Sequence, residues 1–260
     1  MSQGNPYQPP RSQVADVSDA APLGNFVEAG RGVDAGQGWA WIASGFGLFR
    51  KRAGVWIAVT IIAGVLVIVV SLFPIIGWLV NTLLMPVYLG GLLLGCKSLE
   101  DEGEFGVGQL FAGFSKHTGR LMAVGALSLA GWLLIMIPLF FIMGTSMFAL
   151  MGGDPAAIAA AGPTLMLGVL VTIGLSVPLY MALWFAPCLI LFNEAQPVQA
   201  LGRSFRACSK NIIPFLLYGV LLFIVFVLAT IPFGLGLLVA FPVLIASVYT
   251  SYRDIFYAPA

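Results

Sequence analysis

Long runs of apolar residues without a single charge place the tightest limit on the fold of this chain. The first run, residues 55–73, contains no Asp, Glu, Lys, Arg or His. The hydrocarbon core of a bilayer is about 30 Å thick, and a helix of roughly 20 residues spans it. Hydrophobic residues make up 60% of the chain and charged residues 9%, against about 25% charged in soluble domains. The sequence therefore predicts a membrane protein.

Six runs of this kind follow one another, and each is predicted to be a transmembrane helix: residues 55–73, 75–96, 121–143, 165–192, 212–230 and 235–249. This arrangement places all 12 Lys and Arg residues on one side of the bilayer. Basic residues concentrate in cytoplasmic loops, so both termini are expected to be cytoplasmic. The predicted fold class is all-α, a polytopic membrane protein whose six helices form three hairpins.

In the longest outer connection, residues 144–163, Asp154 and Pro155 are expected to start a short helix that ends at Gly162-Pro163.

A segment rich in aromatic and basic residues precedes the first, third and fifth runs, at residues 45–56, 110–121 and 201–212. Each segment holds a phenylalanine at a comparable position: Phe49, Phe114 and Phe205. Aromatic rings suit the headgroup level and cations the phosphates, which predicts three interfacial amphipathic helices. The alternative for residues 39–52 is that they form the first turns of the first transmembrane helix. The pattern predicts a transmembrane domain over residues 37–260 with a threefold internal repeat, its units at about 39–96, 109–192 and 199–257.

Each predicted unit also carries a proline in its second helix: Pro86, Pro187 and Pro242. A proline inside a helix frees one carbonyl, which in lipid needs a partner within the protein. We therefore expect these three helices to kink around a central space. Among the neutral polar residues at depth, Asn81 and Tyr180 are the candidates to face a ligand there. Proline is also tolerated in transmembrane helices for packing alone, and that is the alternative.

The polar segments of the chain, residues 1–36 and the acidic stretch near position 100, are predicted to be exposed to solvent. Residues 1–36 are rich in Pro, Gln, Ser, Gly and Asp without a sustained apolar period, so they are predicted to be a disordered cytoplasmic tail. The acidic residues between positions 100 and 104 are expected to lie in a solvated loop. The three cysteines form no spaced pair, so neither a disulfide framework nor a metal site is expected.

The reactive groups in the sequence predict no enzyme. The sequence has no phosphate-binding glycine loop, no nucleophile elbow and no metalloprotease helix motif. The six apolar runs also contain no Asp, Glu, Lys, Arg or His, the residues that usually mark proton or ion pathways. We expect no catalytic residue, cofactor, metal ligand or nucleic-acid partner.

Four short motifs carry a resemblance. They are Gly-Trp-Ala-Trp-Ile at 38–42, Gly-Phe-Gly-Leu-Phe-Arg-Lys at 45–51, Leu-Phe-Ala-Gly-Phe at 110–114 and Ser-Tyr-Arg-Asp-Ile-Phe at 251–256. With them the chain resembles an uncharacterised family of six-span bacterial inner-membrane proteins. A looser similarity, at residues 197–205, runs to the YciC-like proteins and to the membrane domain of some glycerophosphodiester phosphodiesterases, whose catalytic domain is absent here. The resemblance implies a bacterial inner membrane and leaves the activity open.

Two functions follow as alternatives. The first is a non-enzymatic scaffold or accessory protein that contacts anionic lipid headgroups and meets a protein partner through its N-terminal tail. The second is a carrier or binder of a lipid or apolar small molecule in a proline-lined cavity near Asn81 and Tyr180.

Overall fold

A computed structural model describes residues 24–152 and 155–258, and this part of the protein is helical. Helices make up 83% of the structure, and the described segments hold no strand, only an isolated bridge between Phe26 and Tyr257. The α-helices are α1 (Gln37–Lys51), α2 (Ala53–Ser71), α3 (Pro74–Glu100), α4 (Thr118–Gly152), α5 (Pro155–Trp184), α6 (Ala186–Asn193), α7 (Pro197–Lys210), α8 (Ile212–Thr230) and α9 (Leu237–Phe256). A 3-10 helix, Val107–Phe114, lies between α3 and α4.

Five segments are long and apolar enough to cross a membrane: Ala53–Ser71, Pro74–Glu100, Thr118–Phe148, Ala161–Asn193 and Ile212–Thr230. They contain the second to fifth predicted transmembrane runs in full, and the first run, 55–73, up to Ser71. The sixth predicted run lies in α9, which is less apolar because its last turns carry hydroxyls, Arg253 and Asp254. Five candidate spans are therefore established, and the crossing by α9 stays a prediction.

Short helices precede three of these segments, as the aromatic and basic pattern predicts. The first, α1, is separate from α2 because Arg52 breaks the helix with φ −145° and ψ 48°. Residues 39–52 are thus not the first turns of the first long helix. The middle segment is a 3-10 helix rather than an α-helix, and the third segment is α7.

The outer connection at residues 144–163 is more helical than predicted. Helix α4 continues to Gly152, and α5 begins at Pro155 as expected but runs through Pro163 to Trp184. The predicted stop at Gly162-Pro163 is wrong because an interior proline removes one backbone hydrogen bond without ending a long apolar helix in lipid. The predicted N-cap, Asp154, lies outside the described residues.

The buried core lies at one end of the bundle. The largest fully buried side chains include Trp56, Phe185, Tyr252 and Phe256, and α1, α6, α7 and the last turns of α3 and α9 meet around them. Every Lys and Arg of the described residues lies in residues 24–36, in the short helices α1 and α7, or next to the ends of α2, α3, α4 and α9 near this core. We therefore call this side the charged end. Toward the opposite end the long helices expose large apolar side chains such as Ile68, Phe140 and Phe223, which suits contact with lipid tails.

Residues 24–36 are not the disordered chain expected there. They pack along α7 and α9, for example through backbone bonds from Val27 N to Phe256 O (2.8 Å) and from Arg31 N to Ile255 O (2.9 Å). We call residues 24–36 the strap. The sequence pattern missed it because its partners in α7 and α9 lie 175 or more residues away. Residues 1–23, the rest of the predicted tail, lie outside the described part of the chain.

Candidate functional site

The end of α9 forms a polar hub at the charged end. Tyr252, Arg253 and Asp254 lie three, four and five residues after Tyr249. Their side chains therefore point in different directions around the helix. Their partners belong to the strap, α1, α3 and α6. We call these four residues and their side-chain partners the clasp.

Asp254 connects α9 to the N-terminal part of the protein. Its Oδ1 pairs with the guanidinium of Arg31 in the strap, and its Oδ2 accepts a 2.9 Å hydrogen bond from the indole Nε1 of Trp41 in α1. Arg31 Nε also donates to the backbone oxygen of Asp254 at 2.6 Å. One carboxylate thus holds two separate segments of the chain.

Glu100, the last residue of α3, connects that helix to α9. The hydroxyl of Tyr249 donates to Glu100 Oε2 at 2.5 Å, and Arg253 forms an ion pair with the same carboxylate. The Arg253 guanidinium also lies over the ring of Tyr257, 5.7 Å from its centroid. Glu100 thus belongs to a helix and to an ion pair instead of the predicted loop, although it is exposed as expected. Asp101 pairs with Lys97 one turn earlier.

Asn193, the last residue of α6, makes the third connection. Its Oδ1 accepts a hydrogen bond from the hydroxyl of Tyr252, and its Nδ2 donates to the hydroxyl of Tyr257 at 3.3 Å. Tyr252 is buried and stacks among Phe185, Phe192 and Phe256. The clasp thus joins α6 to α9 by both apolar packing and polar pairing.

The hydrogen bonds and ion pairs of the clasp are of a kind that holds separate segments of the chain together. Both carboxylates accept hydrogen bonds from cationic, indole or phenol groups of other elements. Such charge-assisted bonds are stronger than neutral ones, although partial exposure of Arg31 and Asp254, 35% and 20%, lets solvent weaken them. No group of three or more His, Cys, Asp or Glu residues placed to hold a metal occurs within residues 24–152 and 155–258.

Helix α7 presents three different faces. Ala200, Ser204, Ala207 and Cys208 are buried against the protein, and Ser204 accepts a 2.9 Å hydrogen bond from Phe185 N. Val198 and Phe205 form an exposed apolar stripe. The cations Arg203, Arg206 and Lys210 lie on the remaining side.

The three predicted phenylalanines are not equivalent in the structure. Phe49 is 5% exposed and belongs to the core, whereas Phe114 and Phe205 are 42% and 41% exposed. In α1 the exposed aromatic rings are those of Trp39 and Phe46. A shared position in the sequence pattern therefore does not give a shared environment.

The three predicted prolines are all buried. Pro86 and Pro242 lie inside α3 and α9, while Pro187 lies in the first turn of α6, after a break at Phe185. A proline in the first turn costs no hydrogen bond. The predicted kink of a continuous helix at Pro187 is therefore wrong.

Asn81 and Tyr180 have separate environments. Asn81 Nδ2 donates to Ser71 Oγ at 3.1 Å, between α2 and α3. Tyr180 is 54% exposed and packs edge-on against Trp132 of α4, with ring centroids 5.5 Å apart. Their contacts do not bring the two side chains to one shared site.

The clasp was missed by reasoning from the sequence. In the sequence, the motif at 251–256 carries only the resemblance to inner-membrane proteins and predicts no contacts with distant segments. The available signal was the polar face that Tyr249, Tyr252 and Arg253 form at spacings of three and four on a largely apolar helix. The partners Arg31, Glu100 and Asn193 carry no signal of their own.

Comparison with known proteins supports the membrane assignment. The chain is 27% identical over 249 residues to a probable inner membrane protein of Burkholderia thailandensis, across 86% of this chain and 92% of that protein. No family model matches the chain, and no solved structure matches it. Together with the five apolar helical segments, this similarity identifies an integral membrane protein of the inner-membrane kind.

Proposed function

We propose that this protein is a non-enzymatic scaffold or accessory protein of the bacterial inner membrane that works through its charged end. The observation that carries the proposal is the position of the ion pairs. All four among the described residues lie at the charged end: Arg31–Asp254, Lys97–Asp101, Arg203–Glu28 and Arg253–Glu100. Three of them join distant parts of the chain and so build one preformed polar surface.

The proposed topology has six crossings, with α9 as the sixth and the charged end in the cytoplasm. Glu100 and Arg253 pair at the charged end, so α3 and α9 finish on the same side of the bilayer. Basic residues at that end favour the cytoplasmic side, which places both termini there. Pairs of consecutive long helices touch away from this end, as Phe226 of α8 and Phe241 of α9 do at 5.2 Å between ring centroids. The bond from Asn81 to Ser71 joins α2 and α3 in the same way, and the packing of Tyr180 on Trp132 joins α4 and α5. These three contacts support three hairpins.

In this topology α1, the 3-10 helix and α7 lie in the cytoplasmic interface. The exposed stripes at Trp39 and Phe46, and at Val198 and Phe205, would enter the acyl region. Nearby exposed cations such as Arg50 and Arg206 would meet anionic headgroups, worth about 1 kcal/mol each near the surface. The threefold repeat and the looser resemblance to YciC-like proteins remain predictions.

Native mass spectrometry of the protein, extracted gently from its own membrane, tests the function. The scaffold proposal expects a co-purifying protein in stoichiometric amount. A variant lacking residues 1–23 keeps the strap, so loss of the partner from that variant assigns partner binding to the far N-terminus. A stoichiometric lipid that is lost on Asn81→Ala or Tyr180→Phe, with no protein partner, would instead support the carrier function.

A further inference from the structure

The strap lies in a groove made by α7 and the end of α9. Its backbone pairs with that of α9 at Val27 N to Phe256 O, 2.8 Å, and at Arg31 N to Ile255 O, 2.9 Å. The last described residue, Ala258, donates in return to Asn25 O at 3.1 Å. Main-chain pairing of this kind holds a peptide segment whatever its side chains. Between the Val27 and Arg31 contacts the strap makes a turn, in which Gly30 N donates to Val27 O at 2.9 Å.

Two side chains at the end of α7, those of Lys210 and Asn211, also form hydrogen bonds with the backbone of the strap. Asn211 is fully buried, its Oδ1 accepts from Val33 N at 2.8 Å, and its Nδ2 donates to Arg31 O at 2.9 Å. Lys210 Nζ donates to Gly30 O at 3.0 Å. Nδ2 also donates to Ala207 O at 2.9 Å, but Oδ1 would be left unsatisfied without Val33 N, so this buried amide is a built feature of peptide recognition.

Four strap positions meet specific partners. Phe26 packs on Phe256 and Tyr257, with ring centroids 6.1 and 5.6 Å away. Glu28 pairs with Arg203, and Arg31 pairs with Asp254. Gly30 has a φ of +64°, and a Cβ there would lie 2.9 Å from the Cβ of Ala207.

We propose that this groove is a peptide-recognition site that the strap fills in cis. It selects a segment of the pattern aromatic, any residue, acidic, any residue, Gly-Arg that turns at the glycine, as the strap does at Gly30. A partner protein whose segment carries this pattern takes the place of the strap. The nature of that partner rests on the scaffold proposal, whereas the groove and its selectivity rest on the contacts above.

The exchange is tested with a fluorescent peptide of residues 24–34 and the full-length protein in micelles. Gly30→Ala releases the strap, because alanine meets both an unfavourable φ and the Cβ of Ala207. The variant should then bind the peptide about tenfold or more tightly than the wild type, whose tethered strap competes at high effective concentration. Gly32→Ala is the matched control, since a Cβ at Gly32 meets nothing within 4 Å, and it should behave as wild type.

Cleavage by proteinase K within residues 24–36 reports strap release independently of peptide binding. Arg31→Glu, which places a carboxylate against Asp254, is a second release variant in case Gly30→Ala alters folding. Peptide binding by the released variants, lost when the peptide itself carries Gly30→Ala, supports the proposal. A strap that stays protected in both variants, a released variant that binds no peptide, or equal binding by wild type overturns it. Peptide binding without a co-purifying protein would leave the groove in place and refute the scaffold function.

Discussion

Replacement of Asp254 measures how strongly the clasp holds the N-terminal segments. In Asp254→Ala the indole N–H of Trp41, a residue only 2% exposed, loses its acceptor, and an unsatisfied buried donor costs about 1–3 kcal/mol. The ion pair with Arg31 is partly exposed and adds about 0.5–1 kcal/mol after screening. The two contributions together are about 1.5–4 kcal/mol. Asp254→Asn keeps an oxygen that can accept from Trp41, so it should cost only about 1 kcal/mol.

Thermal unfolding in micelles, followed by tryptophan fluorescence, measures the difference between the two variants. At about 2–4 °C per kcal/mol for a chain of this size, Asp254→Ala should lower the midpoint by about 3–16 °C and Asp254→Asn by about 2–4 °C. Glu104→Gln is the control, because Glu104 is exposed and its side chain lies outside the clasp. Equal shifts for Ala and Asn, or no shift for Ala, would refute the role assigned to the Trp41 bond.

Other side chains give further predictions, each checked by the same unfolding assay or by thiol labelling. Gly45→Ala should destabilise the fold by about 1–3 kcal/mol, because its Cβ would lie 2.8 Å from Ser247 N in α9. A Cβ at Gly47 meets nothing within 4 Å, so Gly47→Ala should be neutral or stabilising by up to about 1 kcal/mol. Burial raises the pKa of Cys208 to about 12, so its thiol should resist maleimide at pH 7 until the protein is unfolded. The raised pKa also predicts stability that is complete below the pKa of an unfolded thiol, about 8.5, and is lost as the pH rises toward 12. Tyr180→Phe should leave the midpoint unchanged, since the ring packing on Trp132 is kept.

The apolar helices could be predicted from the sequence because lipid imposes a local rule. A backbone in lipid must satisfy its own hydrogen bonds, so an uncharged run of about 20 residues becomes a helix whatever its tertiary contacts. Helices α2 and α8 therefore closely match the predicted runs at 55–73 and 212–230. Short helices at the positions of α1 and α7, separate from the long helices, were also predicted because their aromatic and basic pattern is local.

The candidate site could not be predicted because its contacts are distant in sequence. Asp254 and Arg31 lie 223 residues apart, and no local pattern indicates that they meet. The strap has few apolar residues and so resembles a disordered segment, yet its stability comes from backbone pairing with α9. Phe49 and Phe205 show the same limit, because packing with neighbours decides which ring is buried.

Cysteine accessibility in intact cells tests the proposed topology most directly. The native cysteines, Cys96, Cys188 and Cys208, are all buried, so an introduced thiol gives the signal. Phe233→Cys lies in the fully exposed turn between α8 and α9, and Ser115→Cys is exposed at the charged end.

A third variant, Ala258→Cys, marks the chain beyond α9. With six crossings and a cytoplasmic charged end, we expect an impermeant maleimide to label Phe233→Cys in intact cells. It should label Ser115→Cys and Ala258→Cys only after the membrane is opened. Labelling of Ser115→Cys from outside would contradict the cytoplasmic placement of the charged end. Labelling of Phe233→Cys and Ala258→Cys from the same side would contradict the crossing by α9.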